Sequence, residues 1–364
     1  MDNPFRFSGI VDDPAFCNRK REQEELKQYI QSSQNVLLHS HRRYGKSSLI
    51  LKLFKGLNEI TPIYMDLYGT TSIEDFIASL LKGISTVEPK MNRLMKMLRE
   101  GIRSITLNFS VDPITGMPAA TPVFQRSAAP NTVNEILALL EKLSKKNRMV
   151  VAFDEFQEVA GYGGDVFEKM LRNTIQHHQK ISYIFAGSQR HLITEMFNDR
   201  KRAFYKIAAS FPLKKIETAD YIDWIGGLYR RSERKIEYRM IEDVVNRCEN
   251  HPKYVQEFFF HLWVEPQLSF EVIDRVEHRI IHDRVPEFSY AWDALTLNQR
   301  KALKLIAGTL GKNIFAAENL AAYGFRTASQ ASAALMKLEK GGFLDKNGEW
   351  KIHDPIFCRW LQAV

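Results

Sequence analysis

The chain has 364 residues, of which 45% are hydrophobic and 26% charged, so its composition excludes a disordered or low-complexity protein and allows more than one packed domain. Lys and Arg outnumber Asp and Glu by 51 to 43, which gives a formal net charge of +8. This moderate excess is compatible with a nucleotide, a nucleic acid or an acidic partner, but it requires none of them.

Cysteine spacing and the lack of long apolar stretches bear on where the protein acts. Cys17, Cys248 and Cys358 lie far apart without metal-ligand spacing, which predicts reduced thiols rather than a disulfide framework or a zinc site. The first residues show no signal-peptide pattern, and no uncharged apolar stretch approaches 20 residues. The sequence therefore predicts a cytoplasmic protein without a membrane partner.

A phosphate-binding loop is the first chemical motif, and it follows a predicted amphipathic helix over residues 18–31. The loop lies between an apolar strand at 36–38 and an apolar helix face at 49–51. In the pattern G-x-x-x-x-G-K-[ST], backbone N–H groups wrap phosphates, the lysine neutralises them and the hydroxyl holds Mg²⁺. The predicted nucleotide-binding residues are Ser40, His41, Arg42, Arg43, Tyr44, Gly45, Lys46, Ser47 and Ser48, with Lys46 on phosphate and Ser47 on Mg²⁺.

One position departs from this pattern. Ser40 occupies the place of the first glycine, so the sequence predicts a turn made by a residue that tolerates it less easily than glycine does. For the tripeptide Gly45-Lys46-Ser47 alone, an ordinary helix cap is the alternative. The flanking strand and helix favour the phosphate loop.

Strands and helices alternate after the loop. Residues 60–67 predict a strand and residues 70–98 a helix with an acidic start. Residues 104–125 predict a β-hairpin insertion, which either contacts a partner through its tip or is a passive surface hairpin. Alternation of this kind predicts a parallel sheet with ligands at the carboxyl ends of its strands.

The second half of a nucleotide site is predicted where an apolar strand at 148–153 ends in Asp154 and Glu155. Successive side chains on a strand point to opposite sides, so the two carboxylates cannot share one role. We expect Asp154 near the Mg²⁺ shell and Glu155 toward the γ-phosphate, where it polarises the attacking water. The alternative is an acidic pair that caps the next helix.

A third strand at 181–186 ends in Gly187, Ser188 and Gln189. We expect Ser188 or Gln189 to contact the γ-phosphate. The alternative is a plain turn at the end of the strand. Arg190 and the basic cluster 200–202 are candidates for the cation that stabilises phosphoryl transfer, although most such residues form a solvated face.

Residues 213–285 predict a small helical lid. Within it, Pro252 either packs near the adenine or only begins a helix at its first turn. The basic run 230–235 predicts a solvated loop, with nucleic-acid contact as a minor alternative.

The last segment predicts a winged helix-turn-helix. Helices near 298–306, 316–320 and 327–338 precede a two-stranded wing that ends near 352. If the third helix entered a major groove, Arg326, Thr327, Ser329 and Gln330 would face the bases. Only Arg326 among them is cationic, so the sequence favours protein contact or autoinhibition over binding of duplex DNA. Binding of duplex DNA is kept as the alternative.

In combination these motifs resemble the prokaryotic and archaeal P-loop ATPases related to AAA+ and STAND proteins, over nearly the full length. The segments that carry the resemblance are 3–5, Phe16 with Asn18-Arg19, Arg42-Arg43-Tyr44-Gly45-Lys46-Ser47-Ser48-Leu49, Asp154-Glu155-Phe156-Gln157, Gly187-Ser188 and Asp354-Pro355-Ile356-Phe357 with Arg359-Trp360-Leu361. The chain is similar also to archaeal origin-recognition initiators. Ile207 stands where many relatives place an arginine.

The resemblance implies an α/β P-loop NTPase core with a parallel sheet, a helical lid and a C-terminal winged helix. We expect the core at 1–212 with the hairpin insertion, the lid at 213–288 and the winged helix at 289–364. The predicted function is a slow Mg²⁺-dependent ATPase that acts as a conformational switch, with ATP or ADP as ligand and a protein partner or self-assembly. A nucleotide-gated DNA-binding protein and a nucleotide-binding signalling scaffold with little turnover are the alternatives.

Overall fold

A computed structural model of the chain describes residues 2–86, 105–111, 118–124 and 129–363. Contacts group the chain into two compact units. The first unit is Arg19–Lys214, and the second combines Met1–Asn18 with Lys215–Val364.

The first unit is built on a parallel sheet. Among the described residues its five strands are β1 Val36–His39, β2 Thr61–Asp66, β5 Met149–Asp154, β6 Ile181–Gly187 and β7 Ala209–Pro212, in the spatial order β2-β5-β6-β1-β7. Every residue of β1, β5 and β6 is buried, because these central strands are covered on both faces. The register pairs His39 with Gly187 and Asp66 with Asp154, so the ends that carry the predicted motifs meet at one edge of the sheet.

Helices cover this sheet. They are α1 Lys20–Gln31, α2 Lys46–Lys55, α3 Ile73–Ser85, α4 Ala129–Ser144, α5 Asp165–Ile175 and α6 Arg190–Asn198, with a 3-10 helix at Phe156–Gly161. The core beneath them is rich in aromatic rings: the rings of Phe153 and Tyr183 stack at 5.7 Å, and those of Phe156 and Phe185 meet edge to face at 4.8 Å. These contacts fix the strand that carries the carboxylates to its neighbour.

The predicted hairpin lies in the first unit. Strands β3 Ile105–Val111 and β4 Pro118–Phe124 pair antiparallel, with Ile105 opposite Phe124. The predicted helix over 70–98 begins at Ile73, and its part beyond residue 86 lies outside the described residues.

The second unit is helical before the winged helix. Its helices are α7 Thr218–Arg231, α8 Tyr238–Arg247, α9 Pro252–Trp263, α10 Phe270–Asp283 and α11 Val285–Asp293. The N-terminal segment packs into this unit, since the ring of Phe5 lies 5.5 Å from those of Phe259 and Trp224. Gln256 fastens the same segment, because it accepts the Arg6 N–H and donates to the Ala15 carbonyl.

The end of the second unit has the order of a winged helix. Its elements are α12 Leu297–Thr309, α13 Ala317–Ala322, α14 Ala328–Lys340, the antiparallel pair β8 Leu344–Asn347 and β9 Glu349–Ile352, and α15 Pro355–Ala363. The predicted three helices and wing are therefore confirmed.

The terminal Asp-Pro-x-Phe motif has a local structural explanation. Asp354 accepts the N–H groups of Ile356 and Phe357, at 2.9 and 3.0 Å, and the hydroxyl of Tyr254 on α9. A carboxylate that accepts the first free N–H groups of a helix stabilises that helix end. Here it also joins the end of the winged helix to the helices that precede it.

The predicted division at 212 and 288 stays a prediction. It assigned residues 1–18 to the core, whereas their contacts group them with the second unit.

The basic run 230–235 is not a uniformly solvated loop. The Arg234 guanidinium lies 4.8 Å from the ring of Trp263 and donates to the carbonyls of Trp263 and Glu265.

Candidate active site

The phosphate loop joins β1 to α2 through two residues with left-handed backbone. Gly45 has φ 87° and Arg43 has φ 66°, while Ser40 is not among the described residues with positive φ. The prediction that Ser40 makes a poorly tolerated turn is therefore wrong. The left-handed backbone lies instead at Arg43 and Gly45, and at Arg43, which has a side chain, this conformation costs about 1–2 kcal/mol.

Two contacts hold this loop from within the first unit. The Ser40 Oγ donates to the His41 carbonyl at 3.0 Å. The buried guanidinium of Arg19 lies 3.5 Å from the Tyr44 carbonyl and 2.5 Å from Glu22. Arg19 thus ties the loop to the start of α1.

Lys46 begins α2 and is 5% exposed. Its Nζ has long hydrogen bonds, at 3.4 Å to the Ser40 Oγ and 3.4 Å to the His41 carbonyl. Burial lowers the pKa of Lys46, and the nearby charges of Glu155 and Asp154 oppose that effect. A buried amine with only long contacts has capacity left for an anion.

Asp154 joins the loop to the end of β5. Its Oδ2 accepts the Ser47 hydroxyl at 2.5 Å and the Tyr64 hydroxyl at 2.7 Å. Because Asp154 is 2% exposed, burial raises its pKa, and the two hydroxyl donors hold it back. The residues predicted to share a metal, Ser47 and Asp154, are therefore in direct contact.

Glu155 has different partners, as expected from strand alternation. Its Oε2 accepts the Gln157 Nε2 at 2.6 Å, the Ser188 Oγ at 2.7 Å and the Ser188 N–H at 3.2 Å. The Glu155 backbone is left-handed, with φ 53°, and precedes the 3-10 helix without capping it through its side chain. The capping alternative therefore does not describe Glu155, and strain of this kind is often found at functional sites.

The strand order brings Ser188 between these groups. Because β6 lies between β1 and β5, its carboxyl end is next to both the phosphate loop and the carboxylates. Ser188 is buried and already bonded to Glu155. Lys46, Ser47, Asp154, Glu155 and Ser188 are thus assembled at one edge of the sheet.

Comparison with solved structures decides what this architecture is. A Walker-type ATPase of Pyrococcus abyssi superposes with a TM-score of 0.71 at 19% identity, covering 98% of this chain and 99% of the other. The ORC2 protein of Aeropyrum pernix, in its ADPNP–ADP complexes, gives 0.59 at 15% identity, covering 98% and 97%. This chain has a P-loop ATPase fold.

The C-terminal part matches separately. The model of a family described as a probable winged helix domain matches residues 286–363. No curated protein matches the sequence. The predicted fold, a parallel P-loop core followed by helices and a winged helix, is confirmed.

Among the candidate cations of the P-loop core, Arg202 has a structural role. It lies 2.5 Å from the Oε1 of Glu168, which is 1% exposed, and 3.8 Å from Glu195. Arg200 is exposed. Because Arg202 is already paired, it is no longer a candidate for the catalytic cation among the residues of the basic cluster.

Other candidates belong to the second unit. Pro252 is at the first turn of α9, the position where proline is well tolerated. In the winged helix, Thr327 caps α14 by accepting the Gln330 N–H, while the Gln330 side chain bonds the Arg326 N–H and Asn298. Arg326 and Ser329 are exposed. Whether Pro252 contacts adenine stays a prediction.

The sequence did not assign a site role to three residues, although Arg19 and Gln157 lie in segments that carry the family resemblance. Tyr64 contacts Asp154 from β2, Gln157 contacts Glu155 from the 3-10 helix, and Arg19 holds the phosphate loop. Gln157 adjoins the acidic pair in sequence, so its position was a usable signal. For Tyr64 the only signal was its place near the end of a strand.

No helix in the described part of the chain is long and apolar enough to span a membrane.

Proposed function

We propose that the chain binds ATP with Mg²⁺ at this edge of the sheet and hydrolyses it slowly as a conformational switch. The observation that carries the proposal is the 2.5 Å contact between Ser47 of the phosphate loop and Asp154 of β5. It unites the two halves of a phosphate site that lie 107 residues apart in sequence. The buried Lys46 beside them supplies the positive charge that phosphates require.

The residues fit both ligands. Arg43 and Gly45 have left-handed backbone just before α2 begins, and the free N–H groups of such a loop and helix start are known to bind anions. Ser47 and Asp154 offer the hydroxyl and carboxylate oxygens that Mg²⁺ prefers. When bound there, Mg²⁺ would neutralise charge on the phosphate oxygens.

Glu155 is the residue proposed to act on water. It accepts a hydrogen bond from the attacking water and orients it as the water oxygen bonds to the γ-phosphorus. The bond from phosphorus to the β,γ-bridging oxygen breaks, ADP and inorganic phosphate leave, and the water proton passes to solvent. Ser188 is proposed to contact the γ-phosphate, which ATP has and ADP lacks.

That difference is the basis of the switch. A ligand shifts a conformational equilibrium only by its differential affinity for the two states, so contacts made to the γ-phosphate alone distinguish ATP from ADP. The ORC2 protein of similar fold has been solved in ADPNP–ADP complexes and in an ADP form, which supports a nucleotide-bound role for this fold.

The test is ATP binding and steady-state phosphate release by the wild type, Lys46→Ala and Glu155→Gln. We expect Lys46→Ala to lose binding and Glu155→Gln to bind without turnover. The control is Lys55→Ala at the exposed end of the same helix, which should behave as wild type. Wild-type protein that binds no nucleotide would refute the proposal, and binding without turnover would favour a signalling scaffold.

A nucleotide-gated DNA-binding protein is the second candidate. Its support is the winged-helix match together with exposed basic residues at both ends of α14, namely Arg326, Lys337 and Lys340. Phosphate neutralisation releases counterions, so duplex affinity should fall steeply with salt and decrease in Arg326→Ala. Salt-independent or absent retention on DNA would leave protein contact as the use of the winged helix.

A further inference from the structure

The 3-10 helix that follows Glu155 places one side chain against the Glu155 carboxylate. Gln157 is 4% exposed, and its Nε2 lies 2.6 Å from the Glu155 Oε2. Within the described residues, the buried Gln157 Oε1 has no hydrogen-bond partner. The amide orientation follows from charge, because the carboxylate oxygen requires a donor.

The Gln157 amide lies close to Gly187. A Cβ on Gly187 would lie 2.5 Å from the Gln157 Oε1, so only glycine at that position leaves room for the amide. A buried carbonyl oxygen without a partner is unfavourable for stability. The unfavourable position of the Oε1 is therefore better explained by the contact of the Nε2 at the same amide, which donates to Glu155.

The Glu155 Oε2 is saturated by its three donors. An oxygen of a carboxylate offers about two lone-pair positions, so three donors on Oε2 leave Oε1 as the atom available to a water. Two of those donors come from Ser188. The Ser188 hydroxyl carries a single proton, and it cannot donate to Glu155 and to a γ-phosphate at the same time.

We infer that Gln157 is a positioning residue for Glu155. When the Ser188 hydroxyl turns to the γ-phosphate, the Gln157 Nε2 and the Ser188 N–H keep the Oε2 in place, so the Oε1 stays directed at the attacking water. The inference rests on the proposed function and deepens it. Two residues that bond the Glu155 carboxylate thus have separate roles: Ser188 contacts the γ-phosphate, and Gln157 keeps Glu155 oriented toward the attacking water.

The test compares Gln157→Met with Ser188→Ala. Methionine keeps the length of the side chain and removes its donor, so we expect kcat to fall about tenfold to hundredfold while KM and the Kd for a non-hydrolysable ATP analogue change less than twofold. Because the substitution also removes the unpartnered Oε1, the melting temperature should stay at or above that of the wild type. Ser188→Ala should instead weaken binding of the ATP analogue relative to ADP.

A matched control is Gln256→Met. Gln256 is also buried, and both ends of its amide are bonded, to the Arg6 N–H and the Ala15 carbonyl. This control should lower the melting temperature and keep kcat within twofold of wild type. A purely structural role for Gln157 would give that same pattern.

The outcomes are distinguishable. If Gln157→Met retains the wild-type kcat while the wild type binds and hydrolyses ATP, the positioning role is overturned and the proposed function stands. If the wild type binds no nucleotide, the proposed function is overturned, and this inference with it.

Discussion

Tyr64 donates a 2.7 Å hydrogen bond to the Oδ2 of Asp154, the oxygen that also accepts the Ser47 hydroxyl. Burial, and then the charge of Asp154, raise the pKa of Tyr64, so the phenol stays protonated and remains a donor across the neutral range. A strand that carries no predicted catalytic residue therefore orients the carboxylate proposed to lie beside Mg²⁺.

Removing this donor should weaken the metal site without removing a ligand. In Tyr64→Phe we expect the binding free energy of Mg²⁺ to weaken by about 1 kcal/mol. This corresponds to a roughly fivefold increase in the Mg²⁺ concentration that gives half-maximal nucleotide binding. The measurement is a Mg²⁺ titration at fixed nucleotide. Tyr68→Phe is the control, because Tyr68 is 72% exposed just beyond the same strand. Equal Mg²⁺ requirements in the two variants would contradict the prediction.

Acidification should release Mg²⁺-dependent binding at a pH set by Asp154. Because burial raises the pKa of Asp154 above its ordinary 3.8, a proton competes with Mg²⁺ at higher pH than for an exposed aspartate. Binding should be present above that pKa and lost as the pH falls through it. The transition should move to higher pH in Tyr64→Phe, because the Tyr64 hydrogen bond lowers this pKa. Nucleotide affinity measured against pH, after correction for protonation of ATP, checks both directions.

The specificity of that pH effect can be tested directly. An Asp154→Asn variant has no carboxylate to protonate, so its residual binding should lack the transition. A transition of the same midpoint in this variant would assign the effect to another group.

The left-handed backbone at Arg43 should make glycine favourable there. Arg43→Gly removes a strain of about 1–2 kcal/mol, although glycine also increases the entropy of the unfolded chain. Arg42→Gly carries the same entropic cost without the relief, because Arg42 is not among the described residues with positive φ. We expect the free energy of unfolding of Arg43→Gly to exceed that of Arg42→Gly by about 1 kcal/mol. Chemical denaturation of both variants measures the difference, and a value near zero would argue against strain at Arg43.

Arg202 should contribute to stability through Glu168. Removing one member of a buried ion pair leaves an uncompensated charge, so Arg202→Ala should lose about 3 kcal/mol of unfolding free energy. Arg200→Ala, at an exposed neighbour, should lose almost none.

The same pair predicts a pH dependence. Burial raises the pKa of Glu168 and Arg202 lowers it, so the pKa should rise further in Arg202→Ala. A group whose pKa is raised in the folded state contributes to the stability of the protein at low pH, and this contribution is lost as the pH increases through that pKa. The deficit of Arg202→Ala should therefore be smaller near pH 5 than near pH 8. An identical deficit at both values, in denaturation experiments, would contradict this assignment.

The amino-acid sequence alone predicted the elements whose patterns are local. The helix before β1, the phosphate-loop spacing, the apolar strand that ends in Asp154 and Glu155, and the three helices and wing near the end are all encoded over short stretches. Their hydrophobic periodicity and turn residues do not depend on distant parts of the chain. For this reason the P-loop fold and the residues of the loop were predictable.

Contacts between distant residues were decided only by the tertiary structure. The partners of Asp154 and Glu155 depend on which strands lie side by side, and the order β2-β5-β6-β1-β7 is not written in any local pattern. That order placed Tyr64 on Asp154 and Ser188 on Glu155. It also decided that Arg202 pairs with Glu168, since a basic cluster in sequence does not reveal which of its members is buried.

The phosphate loop also combines features that the sequence determines with features that only the tertiary structure determines. The sequence specified the spacing from Ser40 to Ser47, because the chemistry of phosphate binding fixes which residue types occur where. The motif placed a glycine at position 45 but did not indicate that Arg43 would also have left-handed backbone, which only the folded loop shows. Sequence determined the chemical groups of this protein, and tertiary packing determined which of them meet, because long-range proximity arises only when the strands assemble into a sheet.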